Sequence, residues 1–175
     1  TVKYQDKKAE AGKTYYYKVE ILVKSGKKIL ENGVSKAVSG KTLKQVSVTS
    51  VTANGTVMLL KWKKVSDADG YEIFRSTKKK GTYEKIGTVT SAKKTKYEDK
   101  TLSNGKTYYY KVRAYHKGKK QTGTGSFSKV FKTFTLKKVT ITSAAADGKK
   151  VNLVWKKADK GTGYSIYRSE NKDGK

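Results

Sequence analysis

The sequence predicts an all-β protein built of tandem antiparallel β-sandwiches, with seven short strands per unit. Three observations carry this. A segment returns letter for letter 93 residues later. Short runs of alternating apolar and polar residues are broken by Gly, Asn or Asp. No segment keeps a helical period over three turns.

The repeat comes first, because a fixed period decides the architecture. Gly12-Lys13-Thr14-Tyr15-Tyr16-Tyr17-Lys18-Val19 recurs as Gly105-Lys106-Thr107-Tyr108-Tyr109-Tyr110-Lys111-Val112. The same ungapped shift pairs Tyr4 with Tyr97, Ser35 with Ser128, Trp62 with Trp155, Gly70-Tyr71 with Gly163-Tyr164, and Arg75-Ser76 with Arg168-Ser169. A period of this length is a small domain, not a solenoid turn. It divides the chain into 1–42, the C-terminal half of a unit; 43–135, a complete unit; and 136–175, the N-terminal half of a next unit.

The complete unit can be followed strand by strand. Residues 46–49 alternate and read as the first strand, and Asn54-Gly55 signals a turn. Residues 57–63 put Met58, Leu60 and Trp62 on one face and Lys61 and Lys63 on the other. A loop at 66–70 leads to the third strand, 71–75. Lys78-Lys79-Lys80-Gly81 turns into the fourth, 82–89. A short fifth strand follows at 95–99. Asn104-Gly105 then turns into the long sixth strand, 107–115, and the seventh lies around 127–133. Met58, Leu60, Trp62, Tyr71, Ile73, Tyr108, Tyr110, Val112 and Ala114 are the predicted core. The chain has no Pro, so Lys on edge strands is left to discourage edge-to-edge pairing.

These residues resemble the fibronectin type III family. Trp62 stands on the second strand. Leu102 precedes Tyr108 by six residues, and Tyr108-x-Tyr110-x-Val112-x-Ala114 lines one face of the sixth strand. The family's hallmarks are a second-strand Trp and a "tyrosine corner" on the sixth. Gly-Tyr-Glu-Ile-Phe-Arg-Ser, Gly-Thr-Tyr-Glu-Lys-Ile and Tyr-Tyr-Tyr-Lys-Val-Arg-Ala-Tyr are similar to modules strung along secreted and surface proteins of Gram-positive bacteria. The resemblance covers the whole chain and implies tandem immunoglobulin-like sandwiches. It also implies a buried Tyr108 whose hydroxyl bonds to backbone near Leu102. It implies little about function, because such modules serve as adhesins, receptor parts and spacers alike. The Arg-Gly-Asp tripeptide of some animal members is absent.

Composition restricts the partners. Lys and Arg number 41 against 14 Asp and Glu, a net charge of +27. That predicts salt-sensitive attraction to polyanions. Arg75, Arg113 and Arg168 are the three Arg. Arg is preferred where phosphates are gripped bidentately, so nucleic acid ranks last among partners. Without Cys there is no disulfide framework and no thiolate chemistry. No apolar run approaches the roughly 20 residues that span a bilayer.

No residue pattern supports catalysis, a cofactor or a metal. His116 is a lone His in a loop, with no second His and no Ser–carboxylate pattern. Asp67-Ala68-Asp69-Gly70 is rich in oxygen ligands, yet the sister loop has Lys160 and Thr162 there, and a turn suffices. Asn54-Gly55-Thr56 fits an N-glycosylation acceptor and also an ordinary hairpin turn. The candidate binding surface is a stripe of Phe74, Tyr109, Lys111, Arg113 and Tyr115, opposite the predicted core face. Interleaved aromatic and cationic groups on an open sheet bind sugars or polyanions by stacking and charge. They also serve as cross-strand pairs worth about 0.2–1 kcal/mol each. In the first unit the stripe becomes Tyr16, Lys18, Glu20 and Leu22.

The expected function is a non-catalytic extracellular spacer and adhesion module on a bacterial cell surface. Its Lys-rich exterior would meet an anionic cell-wall polymer or host glycan. The alternatives are a structural subunit of a filament built from the same repeats, or an accessory polysaccharide-binding module of a larger enzyme. The expected partners also include neighbouring repeats and a second copy of the chain. Residues 1–42 should hold the last three strands of a sandwich and 136–175 the first three; together they lack the counterpart of 83–93. A window on a longer repeating chain accounts for this, and the missing edge strand favours it. The other account is head-to-tail completion of one copy by the next.

Overall fold

A computed structural model of the protein describes residues 1–26, 28–118 and 122–172, with 28–32 described by backbone alone. Among them lie fourteen strands and no helix. They are β1 (Thr14–Tyr17), β2 (Glu20–Ser25), β3 (Lys28–Val34), β4 (Val38–Lys41), β5 (Val48–Asn54), β6 (Val57–Trp62), β7 (Gly70–Ser76), β8 (Glu84–Val89), β9 (Lys96–Asp99), β10 (Thr107–Lys117), β11 (Thr122–Thr124), β12 (Phe131–Phe134), β13 (Ile141–Asp147) and β14 (Lys150–Trp155).

Residues 43–135 form two antiparallel sheets. One has the order β5-β6-β9; in the other, β8, β7 and β10 lie side by side, and β11 and β12 both pair with β10. The hairpin β5–β6 turns at Gly55, where φ is +58°. After β8 the chain crosses to β9 in the first sheet, then returns to β10 beside β7. The result is a sandwich of the immunoglobulin-like kind.

Alternation builds the core. Met58, Leu60 and Trp62 on β6 are buried, as are Tyr71 and Ile73 on β7 and Tyr108, Tyr110, Val112 and Ala114 on β10. The Trp62 and Tyr71 rings meet edge to face at 5.1 Å. Val65 N–H donates to the Tyr71 hydroxyl (3.0 Å), and that hydroxyl donates to Ala92 O (3.2 Å). Ser103 N–H donates to the Tyr108 hydroxyl at 3.0 Å, beside Leu102. Each large apolar side chain so covered contributes about 1.5–3 kcal/mol.

The strand map differs from expectation at the edges. The first strand starts at Val48 and runs on to Asn54, because a bulge at Val48/Ser50 lets it track β6 to the turn. The last strand, expected over 127–133, forms as β12 at Phe131–Phe134, with a separate short β11 at Thr122–Thr124 before it. Between them Ser128 Oγ accepts from Val112 N–H (3.0 Å) and donates to Lys129 O (2.8 Å). A hydroxyl has taken a place in the ladder, beside the backbone bond from Ser128 N–H to Val112 O at 2.7 Å.

The ends depart more sharply. Residues 1–6 and 163–169 do not form the expected strands. Their counterparts are β9, which pairs with β6, and β7, which pairs with β10 and β8. Among the described residues no strand pairs with 1–6 or with 163–169. Strands whose partners are present do form: β1 pairs with β4, β2 with β3, and β13 with β14. Their apolar faces stay open. Ile21, Leu22 and Val38 are exposed at one end, and Ile141, Val151 and Leu153 at the other.

Candidate functional site

The outer face of the β8-β7-β10 sheet holds the predicted stripe. Register sets Tyr109, Lys111, Arg113 and Tyr115 opposite Ser76, Phe74, Glu72 and Gly70. Tyr109, Lys111, Arg113 and Phe74 are half-buried. Lys111 Nζ lies 4.3 Å from the Tyr83 ring centroid and 4.0 Å from that of Phe127. The Arg113 guanidinium stands 4.9 Å from Phe127 and 5.2 Å from Phe74. Arg113 Nε donates to Glu72 Oε2 at 2.7 Å, and Lys85 Nζ to Glu72 Oε1 at 3.1 Å. Burial alone would push the Glu72 carboxyl up. The bonds and charges of Arg113 and Lys85 outweigh it and hold that carboxyl below its ordinary value.

Tyr115 corrects the expectation outright. It is 4% exposed and does not face solvent. The reason is its partner: a Cβ on Gly70 would stand 2.7 Å from the Tyr115 hydroxyl oxygen and would also collide with Val89 O. Only Gly at position 70 lets the Tyr115 ring fold across β7. The other stripe cations are already satisfied by aromatic faces and by Glu72. Phe127 and Tyr83, which close this arrangement, come from loops, so strand alternation could not reveal them. The stripe's Lys111 and Arg113 are thus held by aromatic rings from strand and loop and, for Arg113, by Glu72.

The carboxylates of the 66–70 loop are engaged by distant partners. Asp69 Oδ2 accepts from Lys117 N–H at 2.6 Å and lies 3.0 Å from His116 Nδ1. Asp67 bonds Lys41 at 2.8 Å. Among the described residues no group of three His, Cys, Asp or Glu side chains is placed to hold a metal ion.

Unneutralised charge collects on the other sheet instead. Lys61 on β6 and Lys96 on β9 are direct cross-strand partners. Lys93 and Lys94 lie in the turn before β9, closed by Lys94 N–H to Ser91 O at 3.1 Å. The four border an open cleft of about 680 Å³ that also meets Tyr97 and Glu98. All four are exposed, and none forms an ion pair among the described residues, while Glu98 is paired with Lys100. Like charges directly opposite on neighbouring strands are destabilising. An elongated anion lying along the cleft would relieve that repulsion. Lys61 was legible as outward-facing; its pairing with Lys96 was not, because sequence does not show which strands are neighbours.

A two-sheet sandwich with hydrogen-bonded Tyr108 at its corner defines the class: an all-β, immunoglobulin-like sandwich module. No family model and no curated protein matches the chain. The solved structures similar to it include fibronectin type III domains. A mutant of a protein called FN3tt is 23% identical over 53% of this chain and 97% of that one, with a TM-score of 0.41. A fibronectin type III-like protein from Clostridium thermocellum is 28% identical, covering 51% and 88%, with a TM-score of 0.38. A β-1,2-glucanase from Parabacteroides distasonis is 23% identical over 54% of this chain, with a TM-score of 0.46; the match spans 13% of the glucanase.

Proposed function

We propose that the protein is a non-catalytic extracellular spacer and adhesion module of a bacterial surface or secreted repeat protein. It is held to an anionic wall polymer or host glycan by its lysine-rich exterior. The observation that supports this best is the Lys61–Lys96 cross-strand pair, flanked by Lys93 and Lys94, with Glu98 beside it already paired with Lys100. Counterion release makes such contacts strongly salt-dependent. A second reading, a structural subunit of a filament built from the same repeats, draws on the 93-residue period.

The test compares retention on heparin, teichoic acid and a neutral glycan. Wild type binds the two polyanions, with affinity falling steeply from low to high salt. The double variant Lys61→Thr, Lys96→Thr binds more weakly, and its log–log salt slope is shallower by about 1–2. The same variant is more stable by roughly 0.2–1 kcal/mol, since the like-charge pair is gone. Opposite signs for affinity and stability mark a site kept for binding. Equal retention of wild type and variant on both polyanions rejects the cleft, and equal retention on the neutral glycan rejects the polyanion reading.

A further inference from the structure

The outward face of the β5-β6-β9 sheet carries two rows of lysine. Leu60 and Trp62 of β6, with Tyr97 and Asp99 of β9, turn inward. Alternation therefore points Leu59, Lys61 and Lys63 of one strand, and Glu98 and Lys96 of the other, outward. Lys61 stands directly opposite Lys96, and Leu59 opposite Glu98. Trp62 N–H donates to Thr95 O at 3.0 Å. The register thus continues past the start of β9, and Lys63 and Lys94 hold the next outward row. The same bond makes Lys61–Lys96 a non-hydrogen-bonded pair, the kind whose side chains stand closest, with Cα atoms about 4.5 Å apart. Lys61, Lys63, Lys94 and Lys96 are exposed, and none forms an ion pair among the described residues.

The repeat does not maintain these rows. At the 93-residue offset Leu60 and Trp62 return as Leu153 and Trp155, while Lys61 between them becomes Val154. The core positions of the strand recur and the outward cation does not. Repulsion across Lys61–Lys96 works against the sheet, so its presence points to a ligand and not to stability.

Spacing defines the anion. Outward residues two apart on a strand are separated by about 7 Å. In a polyol-phosphate chain with three-carbon links, as many covalent bonds separate successive phosphorus atoms as separate those two Cα atoms. Successive phosphates therefore fall in step with successive rows. Each phosphodiester carries a single charge, which suits the point charge of Lys; the bidentate fork of Arg is not used here, since Arg75 and Arg113 belong to β7 and β10 of the other sheet. A sulfated glycan carries its charges on both sides of rigid rings, out of step with two flat rows. A single nucleic-acid strand has a similar backbone, but its bases need aromatic faces to stack on. The outward rows offer none: Trp62 is buried, and the Tyr97 hydroxyl is turned in to donate to Ile86 O at 2.8 Å. The cleft of about 680 Å³ over Lys61, Lys94 and Lys96 leaves room for a thin chain. The row of Leu59 and Glu98 ends the track on one side.

We propose, resting on the polyanion reading above, that a polyol-phosphate chain lies extended along β6 and β9, with one phosphate over Lys61 and Lys96 and the next over Lys63 and Lys94.

The test is titration of the 175-residue chain with a synthetic glycerol-phosphate oligomer, a heparin oligosaccharide and an oligothymidylate of equal charge, at one salt concentration. The glycerol-phosphate oligomer binds tightest, by about tenfold. The double exchange Leu59→Lys, Lys63→Leu keeps the net charge but moves one cation out of its row. It weakens binding of the glycerol-phosphate oligomer about tenfold and leaves heparin unchanged. Lys94→Thr and Lys80→Thr each remove one exposed charge outside the ladder. The first costs about tenfold for the glycerol-phosphate oligomer; the second, in the turn before β8, costs less than about twofold. Trp62 fluorescence, reporting the core, stays unchanged in every variant. Failure of all three polymers to bind rejects the polyanion reading itself. Heparin or oligothymidylate binding as tightly as glycerol phosphate, or equal losses in Lys94→Thr and Lys80→Thr, overturns the polyol-phosphate assignment and leaves that reading standing.

Discussion

Asp99 is 2% exposed and is held by Arg75, Tyr110 and Thr101 together. Burial pushes its carboxyl up; the Thr101 backbone and hydroxyl, the Tyr110 hydroxyl and Arg75 outweigh burial and hold it below the ordinary value. Burial and the bond to Asp99 push the Tyr110 phenol up. A folded-state value below the unfolded one, about 3.9, means the unfolded chain binds the proton better. The stability so gained is present above about pH 4 and is lost as pH falls through the folded value. Thermal melts of wild type should therefore hold steady from about pH 7 to 5 and fall below about pH 4. Asp99→Asn should melt lower at neutral pH and lose part of the acid-side slope. An acid slope unchanged in that variant would place the sensitivity elsewhere, with Glu72 the next carboxylate held low.

At the scale of the element, one octapeptide adopts two states. In residues 105–112 it opens the eleven-residue strand β10, with Tyr108, Tyr110 and Val112 buried. In residues 12–19 it yields the four-residue β1, with Tyr16 and Val19 exposed by 76% and 70%. The local sequence is identical, so the difference lies in cover: β10 is flanked by β7, β11 and β12, and β1 by β4 alone. Amide exchange should be at least about 100-fold slower at 108–112 than at 15–19, since exposed, thinly packed strands open at low cost. Equal rates would mean that the strand is stable by itself. Alternation made the core face legible, because a period of two needs no knowledge of neighbours. It failed at Tyr115, whose burial depends on Gly70 across the ladder, and it could not reach Phe127, which arrives from a loop.

Over the whole molecule, charge acts against compactness. With a net charge of +27, self-repulsion outweighs the few surface ion pairs, each worth about 0–1 kcal/mol. The melting temperature should rise as NaCl increases from about 0.01 to about 0.5 M, read by calorimetry; a fall would show that ion pairs dominate. The repeat also returns at the junctions between units. Lys41 pairs with Asp67 at 2.8 Å, and the residues 93 further on, Phe134 and Lys160, meet at 4.6 Å by cation–π contact. Asp67 and Lys160 share a left-handed backbone, with φ of 61° and 65°. Sequence by itself determined the 93-residue period, most of the strand-and-turn pattern of the complete unit and the core face of β6, β7 and most of β10, because these depend on neighbours along the chain. Tertiary structure alone decided which copies of those strands form, that Tyr115 folds inward over Gly70, and that Lys61 faces Lys96. The physical reason is that a strand is stabilised by the strands beside it and the sheet beneath it, and those come from distant parts of the chain.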